Sequence, residues 1–280
     1  MSAGAERRMA LTVEYDGSAY LGWQTQQDGP TVQSVLTPAV AFVADHALTL
    51  TASGRTDTGV HAAAQVVHFD TTAKRMPRAW MLGITTRLPP EVAVVDAREV
   101  PADFHAQKSA VARRYRYSLL CRPVRPALAR TTLAWERQPL DVAAMRAAAR
   151  ALVGEHDFTS FRAVQCQSKS PWRRMDAVEV CQVGAEVHFD FEANAFLHHQ
   201  IRNLVGSLLM VGRGERPVGW IAEVLAARDR RLAGPTAAPG GLCYLGPRYP
   251  PRFGFPPEFS SDKARIDPRR PAAAPEEESE

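Results

Sequence analysis

Between Ser53 and Ala62 the chain reads SGRTDTGVHA, which sets a carboxylate, Asp57, two residues after a guanidinium, Arg55, and fences both with Gly54 and Gly59. A strand-like run, HALTLTA, leads into this segment. The glycines permit tight turns and close backbone approach. In a partly dry site desolvation raises a carboxylate pKa, and a neighbouring cation lowers it again. Asp57 is therefore a candidate catalytic carboxylate with Arg55 as a candidate neighbour. A solvated turn would use the same residues without chemistry.

Two further stretches carry candidates. In RRYRY, strand alternation puts Tyr115 and Tyr117 on one side and Arg114 and Arg116 on the other. Tyrosine faces stack on bases and guanidinium groups hold phosphates; a core face backed by a wet face gives the same pattern. In FLHHQIRNLVG, Arg202 stands at a helix start just past an apolar strand. It is either a surface residue or the partner of a buried carboxylate from elsewhere in the chain. His198 and His199 are adjacent, so on a helix they diverge and make a poor chelate. Cys121, Cys166, Cys181 and Cys243 are far apart with no C-x-x-C, so buried thiols are expected rather than a zinc site or disulfides. No metal and no organic cofactor are expected.

The elements that must position these residues follow from periodicity. Strands are predicted at MALTVEYDG, HALTLTASG, AQVVHFDTT, EVAVVDAREV, ARRYRYSLLC and GGLCYLG, with a hairpin around Gly184. Helices are predicted from Thr31, a plausible N-cap with Pro38 expected to kink the helix or shift its start, and from Pro77. Three more are LDVAAMRAAARALVG, HHQIRNLVGSLLMVGRG and VGWIAEVLAARD. There is no regular β-α-β alternation, which favours α+β with antiparallel or mixed sheets. The expected architecture is two similar halves side by side, residues 1–105 and 106–255, each a sheet packed with helices, with a basic cleft between them. Pro256 to Glu280 is rich in proline, alanine and charge and is expected to be a disordered tail.

Composition narrows the partners. The 280 residues, 45% hydrophobic, are enough to bury a sizeable core. No run approaches the roughly 18 apolar residues of a membrane span, and no apolar signal core follows the first basic pair, so a cytoplasmic protein is expected. Lys and Arg number 34 against 30 Asp and Glu, a net charge of +4; four of the acids belong to the terminal EEESE, leaving +8 on the remainder. A basic body suits a polyanion. No G-x-x-x-x-G-K-[ST] occurs, which disfavours a nucleotide-dependent enzyme.

SGRTDTGVHA, RRYRY, EHDFTSFRA and FLHHQIRNLVGSLLMVG, in this order and with EYDGSAYLGWQ near the start, resemble the tRNA pseudouridine synthase A family from about Leu11 to Pro250. The resemblance implies an isomerase converting uridine to pseudouridine at positions 38, 39 and 40 of the tRNA anticodon arm. It implies no metal or cofactor, and a homodimer bridged by tRNA. By it, Asp57 matches the essential aspartate and Arg55 the arginine implicated in displacing the target base. Tyr115 matches the tyrosine that stacks on the uracil, and Arg202 the basic partner of the aspartate. Two departures stand out: Thr58 replaces the usual alanine, and Gly246-Pro247 fall where the family has strand residues, which suits an edge strand or an early strand end.

The chemistry suits these residue types. Glycosidic cleavage is served by a carboxylate that stabilises positive charge at C1′; Asp57 could do this, or could deprotonate C2′ to give a glycal. A non-catalytic RNA-binding protein of the same fold is the alternative. A glycosidic hydrolase would want a second carboxylate beside Asp57, and none is adjacent in the sequence.

Overall fold

A computed structural model describes residues 6–262. Ten strands form one sheet: β1 (Arg7–Tyr15), β2 (Thr51–Ala52), β3 (His61–Thr71), β4 (Val92–Val100), β5 (Ala112–Cys121), β6 (Ala134–Glu136), β7 (Gly154–Asp157), β8 (Trp172–Val183), β9 (Glu186–Ala193) and β10 (Leu242–Arg248). Five α-helices accompany them: α1 (Val32–Ala44), α2 (Pro77–Thr85), α3 (Val142–Ala149), α4 (Gln200–Gly212) and α5 (Trp220–Ala227). This is the expected α+β class. No helix among the described residues is long and apolar enough to cross a membrane.

The main strand order is β4-β1-β3-β10-β5-β9-β8-β7, with β2 added to β3 and β6 to β5. Neighbours are antiparallel except β3–β10 and β5–β6. The two halves thus share one continuous sheet. β10, the last strand among the described residues, returns to the middle, where Cys243 and Tyr244 pair with His61 and Ala62 of β3.

All five helices cover the same face. Met9, Leu11 and Val13 of β1, Val67 and Phe69 of β3, Tyr115, Tyr117 and Leu119 of β5, and Phe189 and Phe191 of β9 join one buried cluster. The helices add Leu36 and Val40, Trp80 and Ile84, Met145, Leu204 and Leu208, and Ile221 and Val224. The period-2 alternation read in RRYRY therefore delivers its tyrosines to the helix side, and Arg116 to the other, where it pairs with Asp190 at 2.7 Å.

The N-cap at Thr31 forms as expected, in a reciprocal capping box with Ser34, and α1 continues through Pro38. One expectation is corrected: HALTLTASG yields only the two residues of β2. Of the two readings of Gly246-Pro247, the edge position holds and the early strand end does not: a bulge between Tyr244 and Gly246, with Gly246 at φ +109°, carries β10 on to Arg248. Pro247 is tolerated because β10 pairs with β3 only at Cys243 and Tyr244, so beyond them it has a neighbour, β5, on one side alone.

The back face of the first half is closed by a second cluster, in which Ala10, Ala64 and Val66 meet Phe104, Tyr249, Phe253, Phe255 and Phe259. Tyr249 donates its backbone N–H to Phe259 at 2.6 Å and accepts one from Ser261 at 2.9 Å. Residues 256–262, assigned by composition to the tail, are thus folded against the sheet; residues 263–280 lie outside the described part.

His68 lies at the edge of this cluster, 6% exposed, and its Nδ1 accepts the Ala106 N–H at 3.2 Å. Burial, then the charges of His105 and Arg8, push its pKa down to about 4. The unfolded chain takes up the proton first as pH falls, so stability present above about 6.5 is lost between there and about 4. The loss attributable to this group reaches about 3 kcal/mol. Urea midpoints measured across that window should fall in the native protein and fall measurably less in His68→Gln.

Candidate active site

The loop between β2 and β3 carries Asp57, and backbone contacts hold it from below. Trp23 N–H donates to the Thr56 carbonyl at 3.1 Å, Gly59 N–H to Tyr20 at 3.2 Å, and Val60 N–H to Asp57 itself at 3.1 Å. The segment from Gly17 to Trp23 approaches this closely because of two glycines. A Cβ on Gly17 would overlap the Val60 carbonyl, and one on Gly22, at φ +86°, would lie 2.5 Å from the Thr56 oxygen. This gives EYDGSAYLGWQ its structural purpose.

Side chains fix the loop from the sheet. Gln65 Nε2 donates to the Gly54 carbonyl at 2.7 Å, and Ser53 Oγ donates to Gln65 Oε1 at 2.7 Å. Ser53 Oγ also lies 3.0 Å from the Tyr244 hydroxyl, and the Tyr15 hydroxyl lies 2.8 Å from Thr56 Oγ1. Thr58 is exposed, so its extra hydroxyl disturbs nothing.

The Asp57 carboxylate faces the other half. Oδ1 lies 3.6 Å from His198 Nε2; Oδ2 lies 3.6 Å from His199 Nε2 and 3.8 Å from Arg202 Nη1. These separations exceed the roughly 2.7–2.9 Å of charge-assisted hydrogen bonds, such as Arg8 Nε to Asp70 at 2.7 Å between β1 and β3. Arg202 lends Asp57 its field, and none of the three groups clamps the carboxylate's lone pairs. Arg202 is held by the strap after α5: its Nε donates to the Ala237 carbonyl at 2.8 Å, and its own carbonyl accepts the Ala237 N–H at 3.0 Å. Burial lowers the Arg202 pKa and Asp57 opposes this.

Tyr115 sits beside this group on β5, 9% exposed, its ring 4.8 Å from that of Tyr244 and edge-on to Phe196 at 5.2 Å. Burial, then Tyr244 and the charge of Asp57, raise its pKa well above the ordinary phenol value, so the hydroxyl stays protonated. Arg55 is exposed on the same loop as Asp57. Of the four residues singled out from the sequence, Asp57 and Arg202 form an ion pair, Tyr115 lies within the field of Asp57, and Arg55 marks the open rim.

The two histidines were missed as partners. They do not start the helix. His199 is the α4 N-cap in a left-handed conformation, φ 59°, and Gln200 Oε1 reaches back to accept the Leu197 N–H at 2.8 Å. The His198 carbonyl accepts the Ala163 N–H at 2.9 Å. This turn swings both rings to one side, centroids 4.0 Å apart, so adjacent histidines converge on Asp57 instead of diverging. Burial lowers the His199 pKa while the Asp57 charge opposes, which favours neutral imidazole. Asp57, His198 and His199 offer donor atoms all within 4.8 Å of one another, the only such group of three among the described residues.

The half-buried Asp57 of one half thus meets the strap-held Arg202 of the other, with Tyr115 beside them. The family model described as tRNA pseudouridine synthase matches residues 11–107 and 148–250. Arg55, Asp57 and Arg202 fall inside these segments, and Tyr115 between them. The chain belongs to the tRNA pseudouridine synthase family. It is 55% identical over 255 residues to a tRNA pseudouridine synthase A of Xanthomonas euvesicatoria pv. vesicatoria, covering 90% of this chain and 99% of the relative. It is 56% identical over 254 residues to a tRNA pseudouridine synthase A of Stenotrophomonas maltophilia, with the same coverage. Among solved structures, a chain of the archaeal box H/ACA sRNP Nop10-Cbf5 complex aligns with a TM-score of 0.33 and 12% identity, covering 80% of this chain and 59% of that one.

The glycine contact under the loop can be isolated. Gly22 and Gly214 both have positive φ, but nothing lies within 4 Å of a Cβ on Gly214. Gly214→Ala should cost about 1–2 kcal/mol of left-handed strain. Gly22→Ala should cost clearly more, because the Thr56 carbonyl must also move; equilibrium urea unfolding of the two variants gives the comparison.

Proposed function

We propose that this chain isomerises uridine to pseudouridine at positions 38, 39 and 40 in the anticodon arm of tRNA, with Asp57 as the catalytic carboxylate. Its family membership and the names of its relatives support the activity. The observation that carries the residue assignment is the meeting of Asp57, from one half, with Arg202 and Tyr115 from the other.

The reaction breaks the C1′–N1 bond of uridine and forms C1′–C5; the hydrogen leaves C5 and N1 ends protonated, so product and substrate are isomers. The target base must leave its stack, at a cost of a few kcal/mol. Arg55, exposed at the rim, is suited to occupy the space it vacates. Asp57 either adds to C1′ or takes the C2′ proton. Its carboxylate is unclamped, which leaves lone pairs for either step. Arg202 supplies a fixed positive charge that stabilises the anionic form. Tyr115 stacks on the detached uracil and lets it rotate in plane, and its protonated hydroxyl can donate a hydrogen bond to the ring. The reading includes a homodimer in the cytoplasm, residues 1–105 and 106–255 as the two halves, and no metal or cofactor.

Asp57→Ala should lower single-turnover isomerisation of unmodified tRNA transcripts by about 10³-fold or more, with tRNA affinity changed little because binding spreads over many phosphates. Near-native turnover would remove Asp57 from the mechanism, and the same variant separates an enzyme from an RNA-binding protein of this fold.

Tyr115→Phe should retain most tRNA affinity, since stacking survives, while Tyr115→Leu should also weaken handling of the flipped base, by about 1–3 kcal/mol. Equal rates and affinities in all three proteins would leave Tyr115 as a core residue only.

A further inference from the structure

We infer that Asp57, His198 and His199 form a binding site for a zinc-class divalent cation, and that the bound cation silences the enzyme by capping its carboxylate. The binding half of this inference rests on geometry alone; the silencing half rests on Asp57 being the catalytic carboxylate.

The donor set is the kind borderline cations select: two imidazoles and one carboxylate, with the fourth position left to solvent. Zinc–nitrogen and zinc–oxygen bonds of about 2.0–2.2 Å in a tetrahedron place neighbouring donors about 3.4 Å apart. Each imidazole Nε2 here lies 3.6 Å from an Asp57 oxygen, and all three donors fall within 4.8 Å. Closing the remaining gap needs small ring rotations, and the His198 side chain, 39% exposed, has room to make them. The pair is already brought together by the left-handed turn at His199. Asp57 itself is 24% exposed, so a cation has a path from solvent.

One neighbour opposes the cation. Arg202 Nη1 stands 3.8 Å from Asp57 Oδ2 and is tied down through Ala237. Its charge weakens a dication nearby and favours approach from the Oδ1 side, where His198 stands. The site is therefore tuned away from permanent occupancy: the cation is a reversible inhibitor that competes with the substrate ribose for the carboxylate. The four cysteines are free and partly buried, and they join no such group among the described residues.

The test uses the full chain freed of metal with EDTA. Co(II) is titrated without tRNA and followed by its visible d–d absorption, then displaced with Zn(II). Wild type should bind one equivalent. His198→Ala, His199→Ala and Asp57→Asn, checked for folding by circular dichroism, should each weaken binding by more than the roughly 10–100-fold cost of losing an outer-sphere partner. Arg202→Gln should tighten it, which an adventitious surface site would not show. Absence of the absorption band, binding that survives all three ligand substitutions, or a thiolate charge-transfer band would overturn the site. In the second arm, Zn(II) should stop single turnover of tRNA and EDTA should restore it. Zinc bound at these three residues with turnover unchanged would leave the site standing and remove Asp57 from the chemistry.

Discussion

Everything at this site depends on one meeting across a seam. Asp57 is carried by a loop of the first half, and the groups it faces, His198, His199 and Arg202, belong to the second. Their distances are only as good as the relative placement of the halves. The sheet provides it through the parallel pairing of β3 with β10. Side chains reinforce it: Tyr244 meets Ser53 at 3.0 Å, Arg113 donates to the Ser53 carbonyl at 3.3 Å, and His61 Nε2 lies 2.7 Å from the Thr131 carbonyl. Two of these bonds end on Ser53, four residues before Asp57. The last strand among the described residues, β10, is thus a staple beneath the Asp57 loop.

The electrostatics follow from the same placement. A carboxylate locked in a bidentate pair, as Asp70 is with Arg8, is stable but has little left to give. Asp57 sits at 3.6–3.8 Å from its partners, near enough to feel the charge of Arg202 and far enough to leave its lone pairs unclaimed. That compromise explains why the site also suits a dication. The proposed catalytic and cation-binding uses share Asp57 and the two imidazoles, and the fixed guanidinium of Arg202 distinguishes them.

The sequence revealed much of this, and the limits have physical causes. Alternation gave the long strands, and in RRYRY it correctly put both tyrosines on the core side. The Asp57 loop was legible because glycines fence it, while the assignment of a role to its carboxylate came only from the family resemblance. His198 and His199 were not legible, because their convergence depends on a left-handed histidine, a conformation uncommon for any residue but glycine and one that no hydrophobic period marks. The burial of Phe259 was hidden by the proline-rich composition that begins at Pro256. It comes from a sheet face built from residues nearly two hundred positions earlier, which no local window contains.

The weight carried by main-chain contacts has a further consequence. The Asp57 loop rests on the backbone of residues 17–23, so its position is sensitive to any Cβ at Gly17 or Gly22. A similar device recurs on the opposite side of the seam. A Cβ on Gly206 of α4 would overlap the Pro235 carbonyl, and Gly234 packs on Gly206 and Ser207. There the strap that holds Arg202 lies directly on the helix that bears it. Carboxylate and guanidinium are therefore each set by backbone packed on backbone, which has fewer rotamers to sample than side-chain packing does. A pair spaced just beyond hydrogen-bond length has no bond of its own to fix that spacing, so the rigidity must come from the two supports.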